Sequence, residues 1–275
     1  MGKLDGKVAF ITGAGRGQGR SHALRFAREG ADIIAVDTTR SVDSVPYPLS
    51  SADDLAETVR AVEDTGRRII ARNADVRDYA ALEAAVGEGV NALGRLDIVV
   101  ANAGISSPAP TLEMSEDTWQ DMIDINLTGT WKSLKASVPH IVSGERGGAV
   151  VITSSLASTV VNENMAHYSA SKAGLVMLMK VMAKELAPQN IRVNSVHPTT
   201  VATEMVLNEA TYRLFRPDLE HPERTDFEEA ARTLNQLPVA ALEPEDITET
   251  VLHLVSDAGR FITGTTQFVD AGGGL

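Results

Sequence analysis

The sequence predicts an α/β fold, a single domain built on a doubly wound parallel β-sheet with helices on both faces. Short apolar runs at 8–11, 97–101 and 149–152 read as strands buried on both sides, as strands of a parallel sheet are. Helical stretches alternate with such runs along the whole chain. No internal repeat, low-complexity segment or linker divides the 275 residues, so 1–275 is expected to be one domain.

Composition narrows the function. A hydrophobic share of 43% and a charged share of 23% are ordinary for a soluble globular protein. A net charge of −12 argues against a nucleic-acid partner, which calls for a basic face. With no cysteine there is no disulfide, thiolate nucleophile or thiolate-bound metal. The first residues lack a signal-peptide apolar core, and Gly6 stands where a myristoylation motif needs Ser or Thr. No apolar run approaches the roughly 18 residues of a membrane span. The expected location is the cytoplasm, with no membrane partner.

The first strand, 8–11, runs into a glycine-rich turn at 12–19. A helix follows over 21–29, ended by Gly30, and a second strand at 32–36 leads to Asp37. Glycines in such a turn let the backbone approach a pyrophosphate, and the helix N-terminus adds a partial positive charge. Gly13, Arg16, Gly17, Gln18 and Gly19 are therefore candidate cofactor contacts. Asp37 stands where a carboxylate accepts both ribose hydroxyls of an adenosine.

Residues 38–50 break the rhythm. Pro46 and Pro48 exclude helix and central strand, and the loop is longer than an ordinary connection. It leaves the strand end where an adenosine would lie, so it is placed either to fold over that half of the ligand or to pack against a neighbouring helix or subunit. A helix runs from about 51 to near Gly66, with Asp53 and Asp54 in its first turn. Strands are expected at 68–73 and 97–101, around a helix ending near Leu93. Residues 116–142 read as one long helical region, with Trp119, Met122, Ile123 and Ile125 at helical spacing. Asn126 in its middle is a weak helix former whose place there calls for a reason. Strands at 149–152, 191–196 and 266–269, a helix that carries Tyr168 and Lys172 and runs to about 187, and a helix at 244–257 complete the pattern. Residues 203–237 read as irregular and acidic, within an expected substrate lid at 200–240 whose Met205, Val206, Leu207, Tyr212 and Phe215 suggest an apolar pocket.

Tyr168 and Lys172 lie four apart on one helix, hence on one face. A nearby ammonium lowers a phenol pKa from about 10 and makes it an acid or base near neutral pH. Taken alone, the spacing is common and reads first as an ordinary surface helix; the rest of the chain changes that. His22, His140, His167 and His197 show no metal-ligand spacing; they read as structural, and no metal site is expected. Met177, Met179 and Met182 read as core or subunit interface.

Together these motifs resemble the short-chain dehydrogenase/reductase family, whose fold is a single-domain Rossmann fold. The glycine motif matches at Thr12, Gly13, Gly17 and Gly19. A second motif appears as Ala101-Asn-Ala-Gly104, with Ala101 in place of an asparagine. The family's tetrad matches Asn126, Ser155, Tyr168 and Lys172. Its Pro-Gly-x-x-x-Thr appears as Pro198 to Thr203, with Thr199 in place of the glycine. The resemblance implies an NAD-dependent alcohol dehydrogenase acting on a CH–OH group, with an alcohol or ketone as the small-molecule substrate. Tyr168 would be the acid/base, Lys172 would lower its pKa and bind the nicotinamide ribose, and Ser155 would hold the substrate oxygen. Asn126 would hold a relay water by its side chain or distorted backbone. Asp75 and Val76 would line the adenine, Asn102, Ala103 and Gly104 the adenosine ribose and phosphates, and Val201 and Thr203 the carboxamide and nearby phosphate. Arg16 is a feature of many NADP-using relatives, but Asp37 marks NAD users and is expected to dominate. A homotetramer is implied. The 38–50 insertion, the run Gly17-Gln-Gly-Arg-Ser-His22 and Asn194-Ser-Val-His-Pro198 resemble the mycofactocin-associated, carveol dehydrogenase-like subgroup. That implies an NAD that hardly dissociates, reoxidised in place by the peptide-derived carrier mycofactocin. Two alternatives remain at this point: an NADPH-dependent ketoreductase, for example of 3-oxoacyl thioesters, and a nucleotide-sensing protein without catalysis.

Overall fold

The computed structural model describes residues 2–275. Seven strands form one parallel sheet: β1 (Val8–Thr12), β2 (Asp32–Asp37), β3 (Ile69–Asn73), β4 (Ile98–Ala101), β5 (Gly148–Thr153), β6 (Ile191–Pro198) and β7 (Thr266–Val269). Their order is β3-β2-β1-β4-β5-β6-β7, so the winding reverses between β1 and β4. Ligands in such sheets bind at the carboxyl ends of the strands beside that reversal.

The apolar runs form strands because both faces are covered. On one face, α1 (Gly17–Arg28), α2 (Ala52–Glu63) and α9 (Pro244–Val255) bury Phe26, Leu55, Val62, Ile247 and Val251 against Ile11, Ile33 and Val100. On the other, α3 (Tyr79–Leu93), α5 (Thr130–Ser143) and α6 (Ala166–Leu186) bury Leu82, Val86, Leu134, Leu175 and Met179 against Phe10, Ile34 and Val150. Met179 is thus core, while Met177 on the same helix is exposed. Helix starts follow local chemistry: Ser51 and Asp54 close a capping box on α2, and Asp78 accepts from Ala81 N at the start of α3.

The structure differs from the sequence reading in two stretches. Residues 116–142 are not one regular helix. α4 (Glu116–Ile123) passes into a π-helical turn, Asp124–Gly129, before α5. Gly129 lies so close to Val76 that an added Cβ would be 2.6 Å from its Cγ2. The Asn126 side chain turns inward within the wider turn, which accommodates the extra residue. Residues 203–237 hold two short helices, α7 (Glu209–Phe215), capped by Asn208, and α8 (Arg224–Arg232). Their apolar face is narrow, with only Phe227 and Ala231 of α8 buried, so the acidic composition hid it. Among the described residues, no helix is long and apolar enough to cross a membrane.

Candidate active site

A cavity of about 870 Å³ opens at the carboxyl ends of the strands. The turn after β1 forms part of its wall through Gly13, Arg16, Gly17 and Gln18. Gly13 has φ +67°, and a Cβ there would come within 2.9 Å of Ala103 Cα, so the position needs glycine. Gly19 does not reach the cavity. A Cβ there would strike the Gly13 carbonyl, so its part is the close packing of α1 on the turn.

Asp37 lines the cavity at the end of β2, its Oδ2 accepting from Gly15 N at 2.7 Å and its Oδ1 from Thr38 N at 2.8 Å. Burial raises its pKa; the two backbone N–H groups and Arg16 oppose that. Arg16 is itself engaged: its guanidinium donates to the Pro48 carbonyl and lies 3.8 Å from the Glu204 carboxylate. Asp75 and Val76 line the same half. Burial pushes the Asp75 carboxyl up, but hydrogen bonds and charge from Arg77, 2.7 Å away, outweigh this and hold it below the usual range. Asn102, Ala103 and Gly104 border the cavity after β4, with Thr12 Oγ1 accepting from both Asn102 N and Ala103 N at 3.0 Å.

These groups fit a dinucleotide. The backbone is bare at Gly13 and Gly17, Asp37 offers carboxylate oxygens, and Gln18 Oε1 is buried at the cavity wall without a protein partner. Val201 and Thr203 complete that wall.

Ser155, Tyr168 and Lys172 meet on the opposite side. The segment after β5 is tied to α6 twice: Lys172 Nζ donates to the Thr153 carbonyl and Ser154 Oγ to the Lys172 carbonyl, both at 2.9 Å. Ser155 Oγ accepts from Ala157 N at 3.1 Å, so its own proton is left to donate. The protein alone does not lower the phenol as the spacing suggested. Burial raises the Tyr168 pKa, with Ser155 opposing, and burial pushes Lys172 down to about 8. Desolvation disfavours both charged forms and sets the direction of both shifts.

Asn126 joins this group without lining the cavity. Its Oδ1 accepts from Ile105 N at 2.8 Å, and its Nδ2 donates to Ile105 O at 3.0 Å and Ser171 Oγ at 3.3 Å. The side chain is thus committed to holding the segment that follows β4, which leaves only the backbone of the π-helical turn for the relay role expected of Asn126.

Two surfaces complete the enclosure. Val42, Pro46, Tyr47 and Leu49 of the 38–50 segment line the cavity; Tyr47 is buried, its hydroxyl accepting from Ser106 N at 3.0 Å. Leu156, Val160, Met205, Val206, Leu214 and Phe215 give the far half an apolar wall. Leu207 and Tyr212 do not line it; they pack on Phe227 in the lid's own small core. Among the described residues, no cluster of histidines and acids could hold a metal.

Comparison with known proteins agrees with this geometry. Residues 7–213 match the family model of the short chain dehydrogenases. The chain is 53% identical over 273 residues to the (−)-trans-carveol dehydrogenase of Rhodococcus erythropolis, covering 99% of both. It superposes with a TM-score of 0.98 and 51% identity on the crystal structure of carveol dehydrogenase from Mycobacterium avium in complex with NAD, covering 99% of each chain. A short chain dehydrogenase from Mycobacterium paratuberculosis bound to NAD follows at 0.91 and 45%, again over 99% of each chain. With its glycine turn, its Ser–Tyr–Lys group and a family match that spans most of its length, this chain belongs to the short-chain dehydrogenase family.

Proposed function

We propose that this chain is an NAD-dependent alcohol dehydrogenase that oxidises an apolar cyclic secondary alcohol, a terpenoid such as carveol being the model substrate. The observation that carries the reading is the placing of Ser155, Tyr168 and Lys172 on one wall of a cavity with a polar, acid-rimmed half and an apolar half. Gly13, Gly17, Gln18 and Asp37 would hold the dinucleotide, which when bound accepts the hydride and brings a positive ring. Ser155 donates to the substrate oxygen and holds it beside Tyr168. Tyr168 as phenolate takes the hydroxyl proton; in the reverse direction its neutral form returns it. Lys172, fixed by the Thr153 carbonyl, supplies the charge that opposes the cost of a buried phenolate.

The finer reading is that NAD stays bound between turnovers and an external carrier, mycofactocin, reoxidises it. The burial of Tyr47 and Val42 over the adenosine half supports it. Exposed Trp131 on α5 and exposed Met177 and Val181 on α6 support assembly with further copies, as a homotetramer. The NADPH-dependent alternative is opposed by Asp37, whose carboxylate repels a 2′-phosphate.

The test is a panel of secondary alcohols, carveol included, given to the purified protein with either a redox dye, mycofactocin or added NAD as acceptor. Reduction of bound nicotinamide by cyclic apolar alcohols, with turnover only on dye or carrier, supports both parts. Turnover with added NAD alone removes the carrier, and the absence of any alcohol response removes the dehydrogenase reading.

A further inference from the structure

His197 was read from the sequence as structural. It stands next to the end of β6, is fully buried, and does not line the cavity. Its Nδ1 lies 3.1 Å from the Ser155 carbonyl oxygen and 3.0 Å from Ser158 Oγ, and its Nε2 lies 2.8 Å from Ser195 Oγ. The Phe268 ring, tilted by 49° at 5.0 Å, packs on the imidazole.

These contacts select one protonation state. The Ser155 carbonyl can only accept. The Ser158 hydroxyl already donates to that carbonyl at 2.7 Å, so it is not available to donate to Nδ1. A proton on Nδ1 serves the carbonyl, and the Ser195 hydroxyl then donates to Nε2. Burial, helped by the charge of Lys172, holds the pKa at about 4, so the ring is neutral at physiological pH.

The same carbonyl also accepts from Ser158 N at 3.1 Å. Three donors from two elements therefore converge on the peptide oxygen of a residue whose hydroxyl is a reacting-site group. Ser155 has an extended backbone (φ −166°, ψ 158°) and opens the short 3₁₀ turn Leu156–Ser158. Within that turn Ser158 is local to Ser155; only His197 refers its peptide plane to the rigid sheet. Fixing the plane fixes the Cα–Cβ direction, and the bond from Ala157 N to Ser155 Oγ holds the hydroxyl's rotamer.

We propose that His197 is the positioning residue for Ser155, a neutral imidazole on β6 whose Nδ1–H holds the Ser155 carbonyl so that the serine hydroxyl faces the substrate oxygen beside Tyr168. The proposal rests on the dehydrogenase reading above. It reaches the chemistry only through Ser155.

The variants separate this from packing. Asn at 197 keeps a donor near Nδ1, whereas Gln keeps one near Nε2 and loses the bond to Ser155. With the NAD-loaded protein, (−)-trans-carveol and a redox dye, His197→Gln is expected to lower kcat by about 10- to 100-fold with little change in KM, the scale of a misplaced reacting group. His197→Asn should recover most of that rate. On a Ser155→Ala background His197→Gln should cost no more than about twofold, since the group it orients is gone. Equal losses in Asn and Gln, or a Gln loss undiminished without Ser155, overturn the proposal. If Ser155→Ala itself leaves kcat unchanged, the dehydrogenase reading of Ser155 fails instead. One arm needs neither a variant rate nor a substrate: ¹⁵N NMR of histidine-labelled protein, with the His197 signals identified by their loss in His197→Asn. It should show a protonated Nδ1 and an unprotonated Nε2, and the opposite tautomer overturns the proposal.

Discussion

Lys172 Nζ lies 5.6 Å from the centre of the Tyr168 ring, while its hydrogen bond goes to the Thr153 carbonyl at 2.9 Å. The ammonium is therefore anchored to the end of β5 and acts on the phenol through space. Burial sets the base line for both, raising the tyrosine and lowering the lysine. On the proposed mechanism the ionised tyrosine therefore needs a further compensating charge, which a bound oxidised nicotinamide would supply.

Tyr168→Phe keeps the packed ring and removes only the oxygen. It should lower kcat by about 10²- to 10⁴-fold, the usual contribution of a positioned acid/base. Binding of NAD, read by quenching of tryptophan fluorescence, should stay within about twofold. A variant retaining more than about a tenth of the rate would be losing less than ~1.4 kcal/mol of transition-state stabilisation, and Tyr168 would not be the essential acid/base.

Lys172 gives a pH signature. Its folded pKa near 8 lies below the ordinary 10.5, so between those values the unfolded chain binds more protons and stability rises with pH. Below pH 8 the cost of the buried ammonium is fully present. Above about 10 the raised Tyr168 works the other way, because the unfolded phenol ionises first. Lys172→Met should therefore gain on the order of 1–3 kcal/mol at pH 7, and lose the rise seen in the parent between pH 8 and 10, while turnover collapses. Urea unfolding of cofactor-stripped protein at several pH values reads this. Parallel curves for parent and variant would mean that the lysine is not desolvated.

The NAD preference is expected to rest on Asp37 rather than on Arg16. Asp37 is held by two backbone N–H groups facing the cavity, whereas Arg16 is tied to Pro48 and Glu204. Asp37→Ala should narrow the NAD over NADP preference by about 10- to 100-fold, on the scale of one lost charge-assisted contact and one removed repulsion. Equilibrium binding of NAD and NADP to cofactor-stripped protein measures it. An unchanged ratio would place selectivity elsewhere.

The sheet and its glycine turn were legible because uninterrupted apolar runs and fixed glycine spacing are local signals. Tyr168 and Lys172 were legible for the same reason, being one turn apart. The environment that decides their protonation was not, since it comes from β5 and from burial. The π-helical turn was visible only as an ill-placed Asn126; the close packing of its Gly129 on Val76, 53 residues away in sequence, leaves no local signal. The helices α7 and α8 escaped because short polar helices carry almost no periodicity. The contact His197 makes carried no local signal, as its partner Ser155 lies just past the end of the neighbouring strand, 42 residues away in sequence.

On the proposed reading, residues 38–50 cover the bound cofactor and retain it. The segment is anchored at several points: Ser44 Oγ donates to the Asp121 carboxylate at 2.8 Å, Val42 joins the main core, Tyr47 accepts from Ser106 N, and Pro48 accepts from Arg16. Its prolines reduce the entropy lost in ordering such a cover. Through Arg16 it is also linked to Glu204 at the start of the lid, so the two walls are joined across the glycine turn. A cover of this kind slows ligand escape. Replacing 40–48 by a short glycine linker should give protein with an unchanged circular dichroism spectrum that loses NAD on gel filtration, whereas the parent retains it. Tyr47→Ala, which removes the buried ring but leaves the chain length alone, should speed NAD release by about tenfold, the worth of some 1.4 kcal/mol of lost contact. If the shortened protein holds NAD as firmly as the parent, the segment is not the retaining element, and its anchoring serves the packing of Asp121 and α4 instead.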